Sequence, residues 1–168
     1  MEMINVRLTE QQRINLDKLA FYLENLPDSY ESFHMGSYFT VMTAATWSKE
    51  KEIEAKYARE NGGVGKCGAI ACAVGHGPSA GILFSEEEAS LLPIDSVGGW
   101  NKYCSNNFCT TNTPEWCWAF SGGWSHIDNT PEGAAKRIRY MLRHAEIPLV
   151  QAFSNPLREF VELYQGEF

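Results

Sequence analysis

The chain has 168 residues, 44% of them apolar and 12% aromatic, which is ample material for one core and supports a single domain over residues 1–168. Its 21 acidic against 14 basic residues leave a net charge of -7, a balance that repels phosphate backbones and excludes direct nucleic-acid binding as the leading reading. No apolar run approaches the roughly 20 residues needed to cross a bilayer, and the N-terminal MEMINVRLTEQQ has no basic-then-apolar leader, so a cytoplasmic protein is expected.

The first predicted helix starts at Thr9, with Gln12 completing a capping box. Ile14, Leu16, Leu19, Ala20, Leu23 and Leu26 keep helical spacing up to Pro27. Residues 28–47 are rich in aromatic and β-branched side chains, and a short extended segment near 37–43 fits without clear alternation. From Ser48 to Asn61 the Lys, Glu and Ala content predicts an exposed helix held by charge pairs, ending at Gly62, Gly63 and Gly65. The segment Cys67–Gly75 is apolar all round and predicts a buried central helix.

Ser85 with Glu86, Glu87 and Glu88 forms another capping box, opening a short helix that Pro93 closes. Residues 95–112 read as a loop. The tetrapeptide Asn-Thr-Pro-Glu occurs at 112–115 and again at 129–132; in each, the threonine caps and the proline takes the first helical position, marking two helix starts. The second opens an amphipathic helix over 131–145, with Ala134, Ala135, Ile138, Met141, Leu142 and Ala145 inward and Lys136, Arg137, Arg139 and Arg143 outward. Asn155 and Pro156 start a last predicted helix. The expected fold is a mainly α, irregular helical domain with at most a small β element.

Five cysteines are an odd count, which argues against a disulfide framework and for free thiols or metal ligands. Gly62–Cys67 (GGVGKC) fails as a phosphate-binding loop, because Glu60 stands at the first glycine position and Cys67 replaces the hydroxyl. Cys67 is the thiol best placed for reactivity, at a predicted helix N-terminus beside Lys66, where dipole and cation enrich the thiolate. With His126 as base and Asp128 as orienter it would make a Cys-His-Asp set; the structural reading of all three, as helix-start and turn residues, carries more weight. Cys72 and His76 share a helical face, and Cys104, Cys109, Cys117 and His126 complete the metal-ligand inventory. Tight C-x2-C knuckles are missing, so no metal and no cofactor is assigned.

The cations Lys136, Arg137, Arg139 and Arg143, with His144, form the positive cluster of an acidic chain and suit a carboxylate or phosphate. The turn Gly75-His76-Gly77 adds backbone N–H groups that can meet an anion. Lys136, Arg139, Arg143 and His76 are therefore the candidate ligand-binding residues. Trp100, Trp116, Trp118 and Trp124 lie close in sequence and are read as sealing a core.

Two resemblances bear on function. Cys117-Trp118-Ala119-Phe120-Ser121 is similar to the stretch around the nucleophile of papain-like cysteine proteases. Pro-Glu-Trp precedes it here, Thr111 stands where the oxyanion glutamine belongs, and His126 and His144 follow too soon, so no protease activity is carried across. The blocks CGAIACAVGHGPSAG (67–81) and DNTPEGAAKRI (128–138), with Trp116, Trp118, Phe120 and Trp124, resemble those of a family of uncharacterised small proteins of bacteria, tailed phages and prophages. That resemblance implies a phage or prophage setting and brings no catalytic residue. The expected function is a non-enzymatic accessory protein that binds a host protein or sequesters a small anionic molecule. A Cys67/His126/Asp128 hydrolase or transferase and a small zinc-binding domain are the alternatives.

Overall fold

The computed structural model describes residues 2–26, 40–41, 69–70, 72–122, 124, 127–128 and 130–149. The predicted helices at 48–61 and after Asn155 lie outside them. Within them the chain is mainly helical: α1 (Glu10–Glu24), α2 (Glu86–Leu91), α3 (Ser96–Asn107), α4 (Pro114–Phe120) and α5 (Pro131–Arg143), with a 3-10 turn at Val74–His76. Four short strands form antiparallel pairs, β1 (Met3–Asn5) with β4 (Glu146–Pro148) and β2 (Thr40–Val41) with β3 (Ala69–Ile70). None of the described helices is long and apolar enough to cross a membrane.

Local chemistry starts α1, α2, α4 and α5 where the sequence places them. Thr9 Oγ1 accepts from Gln12 N at 3.2 Å while the Gln12 side chain accepts from Thr9 N at 2.9 Å. Ser85 and Glu88 repeat the exchange at 3.2 and 2.8 Å. Thr113 and Thr130 cap α4 and α5 by accepting from Trp116 N and Gly133 N, and both helices carry proline in the first turn. Each cap satisfies an N–H that the helix itself leaves unpaired.

Two expectations need correction. Residues 95–112 are not a loop: Asp95 accepts from Gly98 N at 3.0 Å and starts α3. Gly98 and Gly99 disguise this helix by their low propensity, yet Gly99 lets Leu92 close against it, since a Cβ there would lie 3.0 Å from Leu92 Cδ2. Nor do the described residues of 67–75 form the expected helix. Ala69–Ile70 pair as a strand, and the chain then tightens into the 3-10 turn. A short apolar run does not distinguish strand from buried helix by its period. Cys72, Ala73 and Val74 are buried, as the hydrophobicity required.

α1 packs Leu16, Leu19, Ala20 and Leu23 against α5, whose Ala134, Ala135, Ile138 and Met141 face it from the core. Ile14, predicted on that stripe, instead faces outward. β1 and β4 pair Ile4 with Ile147, so the strand that enters α1 is tied to the strand that leaves α5. The other half of the core is aromatic: Phe84 lies 4.4 Å from Tyr103 and 4.9 Å from Trp100, and Tyr103 meets Phe108 edge-on at 5.6 Å. Trp118 and Trp124 cross at 5.9 Å, their indole N–H groups donating to the carbonyls of Arg137 and Cys117. The indole cluster thus seals the core.

Candidate functional site

Of the Cys-His-Asp set, Cys67 and His126 lie outside the described residues. Asp128 is at the threshold of α5, where Oδ1 accepts from both the N–H and the hydroxyl of Thr130, at 3.2 and 2.5 Å. That bond orients the hydroxyl which caps Gly133 N, so Asp128 reinforces the start of the helix.

The four described cysteines, Cys72, Cys104, Cys109 and Cys117, are buried and form no disulfide. Burial pushes the Cys72 thiol up to about 12, and burial followed by a hydrogen bond to the Cys104 thiol pushes Cys109 well above its ordinary range. In the closed fold the Cys72 and Cys109 thiols are therefore protonated and shielded from reagents. No group of three or more His, Cys, Asp or Glu side chains among the described residues has an arrangement fit for a metal ion. The folded state keeps protons that the unfolded state releases above about pH 9, the ordinary thiol value. Stability is therefore full below that pH and falls as pH climbs toward 12, by about 1.4 kcal/mol per pH unit for each such thiol. Tyr103, raised by burial above its usual 10, adds to the loss at the upper end. Urea midpoints at pH 8 and pH 10.5 are expected to differ substantially; equal midpoints would contradict the burial of these groups.

The proposed ligand residues do not form one site. His76 is only 1% exposed, with its ring 6.0 Å from that of Tyr22. The turn around it offers no anion cradle, because His76 N already donates to the Cys72 and Ala73 carbonyls and Gly77 N to that of Val74. Lys136, Arg139 and Arg143 share the outer stripe of α5. Lys136 sits 3.6 Å from Glu132 one turn back. Arg139 reaches across to α1, its Nε and Nη2 donating to the two Glu24 oxygens at 2.8 and 3.1 Å and its Nη1 to Asp17. Those bonds, Glu24 first, hold the guanidinium above its ordinary range. Arg143 and His144 are exposed at the end of the helix.

Arg137, predicted on this outer face, is completely buried. Its guanidinium carbon lies 4.2 Å from the centre of the Trp124 ring. A signal was present: 137 is three after Ala134 and four before Met141, on the inner stripe. Sequence reading also missed a polar seam beneath α1. Asn15 donates to the Asn107 carbonyl at 3.1 Å, and Asn106 donates to buried Glu88 at 2.8 Å. Glu115, also buried, accepts from Arg7 N at 2.7 Å. No local pattern announces pairings whose partners stand between 18 and 108 residues apart.

What remains accessible on the α1–α5 pair is an apolar and ionic surface. Phe21 is 64% exposed and shares one face of α1 with Ile14, seven residues earlier. Asp17 and Glu24, bonded to Arg139, border them, and Lys136 and Arg143 lie beyond on α5. Comparison with protein-family models, curated proteins and solved structures finds no match.

Proposed function

We propose that this chain is a non-enzymatic accessory protein of phage or prophage origin, acting in the cytoplasm by binding a host protein through the outer face of α1 and α5. The observation that carries the reading is Phe21, an exposed aromatic on a capped helix clamped to its neighbour by the Arg139 ion pairs. An aromatic anchor on a rigid element costs little entropy to dock, and such residues concentrate binding energy. Lys136 and Arg143 at the rim would steer an acidic patch of the partner. A small anion is the less favoured ligand, since Asp17, Glu24 and Glu132 surround the same cations. The phage setting rests on the two sequence blocks.

The test is affinity capture from a bacterial host lysate, followed by titration of the purified partner. Phe21→Ala is expected to weaken binding about tenfold or more, and Arg143→Glu to slow association. A partner that binds both variants with unchanged affinity would sink the proposal.

A further inference from the structure

All four cysteines among the described residues are buried, and two of them, Cys104 and Cys109, interact directly. α3 ends by turning tightly on Cys104: the N–H groups of Phe108 and Cys109 both donate to the Cys104 carbonyl, at 2.8 and 3.1 Å. This folds Cys109 back over Cys104. The Cys104 thiol points at the Cys109 carbonyl oxygen, 3.5 Å away, and the two thiols hydrogen-bond to each other. A disulfide needs its α-carbons close and its β-carbons facing, and a turn that hydrogen-bonds residue 109 back to residue 104 supplies that approach without moving another element.

We infer that Cys104 and Cys109 are an oxidation site, closing a disulfide that pins the C-terminal end of α3 when the protein meets a peroxide. The chemistry balances as two thiols and one peroxide giving one disulfide and two waters. The Cys109 thiolate attacks a peroxide oxygen, the O–O bond breaks, and the departing hydroxide takes up the released proton as the first water. Cys109 is then a sulfenic acid. Attack by the Cys104 sulfur forms the S–S bond and expels the second hydroxide, which leaves as water with the Cys104 proton. Cys109 is the first sulfur reached because the chain becomes exposed at Thr110, immediately after it.

Burial sets the rate. With Cys104 inaccessible and Cys109 only 2% exposed, the pair reacts through opening of the turn and not from the closed state. The site is independent of the binding face proposed above, since neither thiol lies on α1 or α5.

The experiment treats the full-length folded protein with hydrogen peroxide, blocks remaining thiols with an alkylating reagent after unfolding, and maps the cysteines by mass spectrometry. The expected product has lost two hydrogen atoms, with Cys104 and Cys109 joined and Cys67, Cys72 and Cys117 alkylated, and a thiol reductant restores it. Cys109→Ala is expected to give no intramolecular disulfide while remaining folded by circular dichroism. Full alkylation of Cys104 and Cys109 after treatment would overturn the inference, as would a dominant pairing with Cys67, Cys72 or Cys117, or a crosslink that persists without Cys109.

Discussion

Gly77→Ala is expected to destabilise the fold by about 2–4 kcal/mol, combining overpacking of a filled core with the loss of a buried hydrogen bond. The sign is the informative part. Gly77 has helical backbone angles, φ -53° and ψ -49°, and in such a conformation alanine normally stabilises a protein by about 0.4–1 kcal/mol by restricting the unfolded chain. Space reverses that expectation. A Cβ at position 77 would lie 2.9 Å from Phe108 Cζ and 3.0 Å from the Val74 carbonyl, and closer still to the Tyr103 hydroxyl. Tyr103 cannot retreat cheaply, because its hydroxyl donates to the Ile82 carbonyl and its ring is stacked on Phe84. Ile82 in turn donates its N–H to the Gly77 carbonyl at 3.1 Å. Glycine at 77 thus serves close approach, not an unusual dihedral angle. Equilibrium urea unfolding checks the claim, and a neutral or stabilising alanine would mean that the turn and the aromatic cluster are less tightly joined than these distances state.

The helix starts were legible because capping is local chemistry. Thr9 with Gln12, Ser85 with Glu88, and the two Thr-Pro pairs each complete their hydrogen bonds within three residues, so a short window of sequence contains the whole device. α3 was hidden for a related reason. Its buried residues, Trp100, Tyr103 and Cys104, do keep helical spacing, but Gly98, Gly99 and several asparagines lower the intrinsic propensity, and packing against Leu92 overrides them. The pairing of β1 with β4 joins residues on either side of the α1–α5 unit and leaves no mark within either segment.

The candidate site was less legible than the fold. Grouping Lys136, Arg139 and Arg143 with His76 as ligand residues rested on charge and residue type. The fate of each side chain depends on distant partners: Arg139 is bound by Asp17 and Glu24, well over a hundred residues earlier in the chain. Carboxylates from another helix convert an apparent anion receptor into a brace between helices. The helical period places Arg137 on the inner stripe with Ala134 and Met141, while its charge favours water; in the fold the period prevails.

Arg137 and Arg139, two residues apart on α5, are therefore expected to respond very differently to truncation. Arg137→Ala should cost about 3–5 kcal/mol, since it empties a large volume in the core and removes a desolvated cation from the face of Trp124. Arg139→Ala should cost about 1 kcal/mol or less, because its partners Asp17 and Glu24 stand in contact with water and can be solvated when the guanidinium is gone. Arg137→Met separates the two contributions at the buried site. Methionine keeps much of the stem's volume and forfeits the charge, so a loss well below that of alanine would assign most of the effect to packing, whereas a loss equal to it would assign it to the cation. Trp118 adds a local check, because its indole N–H donates to the Arg137 carbonyl at 2.9 Å, a backbone bond that all three variants should preserve. If urea unfolding gave equal costs for Arg137→Ala and Arg139→Ala, the buried placement of Arg137 would be wrong. The outward basic stripe of four cations would then be restored as a candidate surface for an anionic partner.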